Sequence, residues 1–121
     1  MSPAELRDHC LGFRGSAETF PFGPNTSVFR VAGKMFALSR LADPPLRISL
    51  KCEPHLATQL RAAHPAVRPG YHLNKRHWNT VVIDGSLPAQ MIKDMIEDSY
   101  DLVVSRLPAS RRRALGWVDG E

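Results

Sequence analysis

The seven residues Leu46-Arg47-Ile48-Ser49-Leu50-Lys51-Cys52 alternate between apolar and polar without a break. Successive side chains of a strand point to opposite faces of its sheet, so Leu46, Ile48, Leu50 and Cys52 share one face and Arg47, Ser49 and Lys51 the other. A strand buried on both faces reads as a continuous apolar run, whereas alternation marks an antiparallel strand with one covered and one open face. Whatever else it does, the chain must build a sheet covered on one side. Two cations, Arg47 and Lys51, then stand on the uncovered side.

The flanking segments supply the rest of the sheet and its cover. Ser27–Val31 and Lys34–Leu38 are strand-like runs joined by Ala32-Gly33, the pattern of a β-hairpin. Thr19–Pro24 is aromatic and proline-rich, so a strand there must be short or lie at an edge, since proline cannot donate to a ladder. Val67–Leu73, containing Pro69-Gly70, reads as a broken strand or a loop entering one, and Trp78–Ile83 as a strand closed by Asp84-Gly85. Ser2-Pro3-Ala4-Glu5 is a capping box with proline at the first helical position, and predicts a helix over about 3–13. Pro54 opens a second helix, with Leu56, Leu60 and Ala63 on one face, that ends at His64-Pro65. After Ser86-Leu87-Pro88 comes the longest, with Met91, Ile92, Met95, Ile96, Ser99, Leu102 and Val103 as its buried stripe. Ala109–Leu115 adds at most a short last turn. The predicted class is α+β, an antiparallel β-sheet with helices packed on one face in the order α-β-β-β-β-α-β-β-α.

At 121 residues the chain fits one domain, with a core over about 3–107 and a short C-terminal extension over 108–121. Hydrophobic residues at 43% and charged residues at 23% are globular proportions. No apolar run approaches the roughly 20 residues of a membrane span. The opening residues carry no apolar signal core. Cys10 and Cys52 form no Cys-x-x-Cys pair, and a small secreted domain would use more cysteines in a framework. The expectation is a cytoplasmic protein with two reduced thiols.

Charge separates the function classes further. The net charge is +4, but it is unevenly distributed. Residues 26–83 carry nine cations against Asp43 and Glu53, while residues 84–107 carry Lys93 and Arg106 against five acids. Residues 108–121 hold Arg111, Arg112 and Arg113 against Asp119 and Glu121. A basic middle of this kind points to an anion-binding face.

The most distinctive block is Pro69–Asn79, with Tyr71, His72, Asn74, Lys75, Arg76, His77, Trp78 and Asn79 packed together. Lys75 and Arg76 suit phosphates. Tyr71 and Trp78 suit stacking on bases. Equally, Trp78 suits a core anchor, Asn79 a turn, and Lys75-Arg76 a solvated hairpin tip. His72 and His77 lack the three or four converging ligands of a zinc site, so no metal and no cofactor are expected. There is no Gly-x-Ser-x-Gly elbow and no phosphate-binding Walker loop, so an enzyme is not expected either.

Five stretches recur together in one known family. They are Pro21-Phe22-Gly23, Val28–Ala37, Ile48–Cys52, Pro69–Asn79 and Ser99-Tyr100-Asp101-Leu102-Val103. In this order and spacing the chain resembles the MmcQ/YjbR family of small bacterial proteins over about residues 3–107. The resemblance implies a fold similar to the frataxin-like, CyaY-like sandwich, also described as a double-wing DNA-binding domain. It implies a cytoplasmic DNA-binding protein and carries over no catalytic residue.

The resulting expectation is a non-enzymatic, monomeric protein that binds DNA through phosphate contacts with weak sequence specificity. The phosphate contacts expected are Arg30, Lys34, Arg47, Lys51, Lys75 and Arg76, with His72, Asn74, His77 and Asn79 as secondary contacts. Engaging four to six phosphates gives a log–log salt slope of roughly −4 to −5. The competing expectation is a small-molecule or protein-binding module whose pocket is walled by the 69–79 block. Convergence of Tyr71, His72, His77 and Trp78 on one deep pocket would favour it.

Overall fold

The computed structural model describes residues 1–117, so Asp119 and Glu121 of the charge count lie outside the described residues. Helix α1 (Pro3–Leu11) forms on the capping box as the sequence predicts: Glu5 N–H donates to Ser2 Oγ at 3.1 Å, and Ser2 N–H donates back to Glu5 at 3.4 Å. Leu6 and Cys10, one turn apart, are its buried contacts.

Six strands follow the expected α+β plan: β1 (Ser16–Thr19), β2 (Ser27–Val31), β3 (Lys34–Ser39), β4 (Arg47–Lys51), β5 (Val67–Pro69) and β6 (Trp78–Val82). They make one antiparallel sheet in the order β1-β2-β3-β4-β6-β5. Strand β1 takes only Thr19 of the Thr19–Pro24 run, because Pro21 and Pro24 have no N–H for the ladder. The β2–β3 turn holds Ala32 and Gly33 at φ +49° and +77°. Two successive positive φ values make a type I′ turn, whose twist matches the strands it joins.

The helices cover one face, as Ile48 and Leu50 require. Helix α3 (Ala89–Ser105) lies against β2, β3 and β4, α2 (Pro54–Ala63) against β5 and β6, and α1 against β1. Glu53 caps α2, its carboxylate accepting from His55 N–H at 3.2 Å and Leu56 N–H at 3.0 Å. Ile92, Ile96, Ser99, Tyr100, Val103 and Val104 are the buried face of α3. Phe13 stacks on Tyr100 at 4.7 Å, and Phe36 meets both edge-on. A final short helix, α4 (Ala109–Ala114), extends the expected order by one element.

One irregularity shapes one end of the sheet. The β2–β3 register shifts between Phe29 and Arg30, so Phe36 bulges from β3. The β3–β4 ladder holds only Ala37↔Leu50 and Leu38↔Ser49. One rung further, Phe36 would oppose Lys51. There the buried Ser99 hydroxyl of α3 fills the gap, accepting from Lys51 N–H at 2.9 Å and donating to the Phe36 carbonyl at 2.6 Å.

Candidate nucleic-acid interface

The expected contact residues divide into framework and surface. Arg30 is half-buried, its Nε donating to Thr19 Oγ1 at 3.2 Å and a terminal nitrogen to the Gly33 carbonyl at 3.1 Å. It ties β1 to the hairpin turn. Lys75 Nζ donates to the Gly70 carbonyl at 3.0 Å, closing its own loop. Asn74 Oδ1 accepts from the Arg76 and His77 N–H groups at 2.9 and 3.3 Å, an Asx turn. His77 is half-buried, and its carbonyl accepts from Cys52 N–H at 2.8 Å. Asn79 is 3% exposed and lies on the helix-covered face. Its amide donates to the Ala57 carbonyl at 3.3 Å, and its carbonyl accepts from Arg61 at 3.2 Å. Arg61, which the sequence reading did not single out, also holds the Lys75 carbonyl at 2.6 Å.

Four of the expected residues remain on the surface with their side chains free of such duties. Arg76 is exposed. His72 sits at φ +56° with its ring 4.1 Å from that of Tyr71. Arg47 is exposed on the open face, its guanidinium 5.9 Å from the Tyr71 ring centre. Lys34 is exposed directly after the hairpin turn. The loop of residues 70–77 folds over the open face, because Tyr71 N–H donates to Thr80 Oγ1, which also bonds Ser49. Tyr71 is left 63% exposed beside Arg47, whereas Trp78 is buried.

Lys51 is the pivot of the site. It is the last residue of β4, half-buried and paired with Trp78. Its ammonium is pushed below the usual lysine value, first by burial and then by the neighbouring charges of Arg106 and Lys34. Arg106 is the C-cap of α3. These three cations line a cleft of about 420 Å³ with Met35, Trp78 and Val103. A second cleft of about 530 Å³ adjoins it, sharing Lys34 and Arg106 and adding Gly33, Pro108 and Arg111. Among the described residues, none of Lys34, Lys51, Arg106 and Arg111 is ion-paired to a carboxylate, and only Arg111 of the four donates its side chain to a backbone carbonyl, that of Ala32 at 3.2 Å. By contrast, Arg40 is neutralised by Asp43 at 2.6 Å. The sequence assigned Arg106 to an acidic segment. Its place beside Lys51 depends on where α3 ends over the sheet.

The molecule thus carries two cationic points, one on the open face and one where the C-terminal end of α3 meets the end of the sheet. Arg47 with Tyr71 and the Lys34–Lys51–Arg106–Arg111 group are joined along β4, where four residues of rise separate Arg47 from Lys51 by about 13 Å. Tyr71 and Trp78 line different clefts, the former with Arg47, Ser49 and Thr80 and the latter with Lys34 and Lys51. Among the described residues, no three His, Cys, Asp or Glu side chains gather as a metal-holding group, and no helix is long and apolar enough to cross a membrane.

The YjbR family model matches residues 11–102. The chain is 36% identical over 115 residues to the uncharacterized protein YjbR of Escherichia coli strain K12, covering 95% of this chain and 98% of that protein. It is 39% identical over 89 residues to the uncharacterized protein YbdF of Escherichia coli O157:H7, covering 73% of this chain and 72% of that one. The crystal structure of Deinococcus radiodurans protein DR2400, a DUF419 domain, superimposes with a TM-score of 0.90 at 41% identity, over 99% of this chain and 91% of that one. A crystal structure of a Pseudomonas syringae protein gives a TM-score of 0.74 at 32% identity, over 84% and 98%.

Proposed function

The chain belongs to the YjbR family, and from that footing we propose that it is a non-enzymatic DNA-binding domain, acting as a cytoplasmic monomer without a cofactor. It holds the phosphate backbone at the end of its sheet. The observation that carries this reading is the gathering of Lys34, Lys51, Arg106 and Arg111 around two adjoining clefts with no carboxylate partner among the described residues. Cations crowded together repel, and the Lys51 ammonium, depressed first by burial, is lowered further by Arg106 and Lys34. A polyanion relieves that repulsion. Phosphates satisfy this need regardless of sequence, so affinity should fall steeply with salt and discriminate weakly between sites. Tyr71, exposed beside Arg47, offers a face on which an unpaired base can stack.

The test is a fluorescence-anisotropy titration of a labelled 20-nucleotide duplex and its single strand at two salt concentrations. Four phosphate contacts give a log–log slope of about −4 for duplex and about −3 for single strand. Lys34→Glu with Arg106→Glu should abolish binding. Lys75→Glu should weaken it far less, because the Lys75 ammonium is engaged with the Gly70 carbonyl. Binding no tighter than millimolar at low salt, or equal loss in both variants, would overturn the reading.

A further inference from the structure

On the helix-covered face, a second site lies between α2 and α3, away from the cationic clefts. The two helices do not close over the sheet. Leu50 and Val81 form a floor, Leu56 and Leu60 of α2 one wall, and Met95 and Leu102 of α3 the other. The cleft measures about 120 Å³. An apolar cavity of about 150 Å³ holds benzene, so this one suits a six-carbon chain or a single ring. Leu56 is 38% exposed at its mouth, a large apolar side chain with no covering segment among the described residues.

The rim supplies a sign. Cys52, Glu53 and Asp98 stand at it. The Glu53 carboxylate is occupied in capping α2. Asp98 has no hydrogen bond or ion pair among the described residues. Burial, then Asp94 and Glu97, push its carboxyl above the usual range, and burial, Glu53 and Asp98 do the same to the Cys52 thiol. Of the nearby cations, Arg61 is bonded to the Lys75 carbonyl and Asn79. Lys51 lines the cleft but, by strand alternation, directs its side chain to the opposite face of the sheet.

We propose that the α2–α3 cleft binds a small organic cation, an amine carrying an apolar tail of about six carbons. The tail occupies the space between the leucines and Met95, and the ammonium meets Asp98 within the field of Glu53. Buried apolar area provides most of the affinity, and the rim carboxylate selects the charge.

The experiment uses n-hexylamine, with n-hexanol and hexanoate as isosteric neutral and anionic counterparts, and reads the alkylation rate of Cys52 in the native protein. The buried Cys10 serves as the silent thiol. Hexylamine should slow Cys52 alkylation saturably at millimolar concentration. Hexanol should need about three- to fivefold more, the discrimination expected of an exposed ion pair, and hexanoate more still. Asp98→Asn should erase the preference for amine over alcohol while leaving hexanol protection in place. No saturable protection, or equal protection by all three compounds, would overturn the proposal. Loss of Cys52 reactivity on concentrating the protein alone would assign the cleft to a second copy and overturn it as well.

Discussion

Replacing Ser99 by alanine removes a single oxygen from the centre of the molecule. That oxygen bridges the rung at which β3 and β4 part: it accepts from Lys51 N–H at 2.9 Å and donates to the Phe36 carbonyl at 2.6 Å, and the residue is fully buried. The methyl group of alanine satisfies neither. A buried donor or acceptor left without a partner costs about 1–3 kcal/mol. Two such groups, partly relieved by the strands drawing together, give an expected loss of about 2–4 kcal/mol. Alanine is the better helix former by up to about 0.5 kcal/mol, which offsets a little of this. Ser105→Ala corrects for that term, since Ser105 lies on the same helix but is exposed, bonding only the Leu102 carbonyl at 2.8 Å. Urea unfolding followed by circular dichroism measures both variants. Ser99→Ala should lower the midpoint with an unchanged m-value, and Ser105→Ala should stay within about 0.5 kcal/mol of the parent. A Ser99→Ala loss below about 0.5 kcal/mol would refute the bridge and mean that the strands close on each other without help.

Gly70→Ala should cost about 1–3 kcal/mol in the same assay, because a Cβ there falls 2.8 Å from Trp78 Cβ and 2.9 Å from the Trp78 carbonyl oxygen, which is itself bonded to Gly70 N–H. A loss within the error of the measurement would contradict that close approach. In a thiol titration of the native protein at pH 8, Cys52 should react and Cys10 should not, since burial pushes the Cys10 thiol up to about 12; reaction of both before unfolding would contradict it. Asp98 and Asp101 have carboxyls raised by burial and then by their acidic neighbours on α3. The folded state therefore binds protons more tightly than the unfolded one, and their ionisation costs stability as pH rises through the raised values. Asp98→Asn with Asp101→Asn should melt above the parent at pH 7, with the gap closing towards pH 4; a gap that widens in acid would reverse the sign.

How much of this was legible in the sequence depends on whether the cause was local. The alternation of residues 46–52 specified a half-covered strand, and β4 follows it at Arg47, Ile48 and Leu50, but Ser49 on the other face is buried as well, beneath the loop of residues 70–77. The Ser2–Glu5 box carried its own hydrogen bonds and so located α1. The bulge at Phe36 left no such mark, because it depends on Ser99, more than sixty residues away, filling the missing rung. The block at 69–79 stood out by composition, but much of its distinctiveness is backbone demand. Gly70 permits the approach to Trp78, Asn74 closes a turn, and Asn79 spans to α2. Its charged pair divides accordingly, with Lys75 tied to the loop and Arg76 exposed. Arg106 and Arg111 join Lys34 and Lys51 only because α3 ends, and α4 begins, beside the β2–β3 turn. A count of charges by segment places Arg106 among acids and misses that meeting.

The proposed polyanion site is the end of the sheet around Lys51, beside the C-terminal end of α3. Mapping amide chemical-shift changes in labelled protein on adding a short DNA duplex at low salt tests it directly. The largest changes should fall at Lys34, Lys51, Arg106 and Arg111, extend along β4 towards Arg47, and vanish at high salt. Changes centred on the α2–α3 cleft or on α1, or no changes at all, would contradict it.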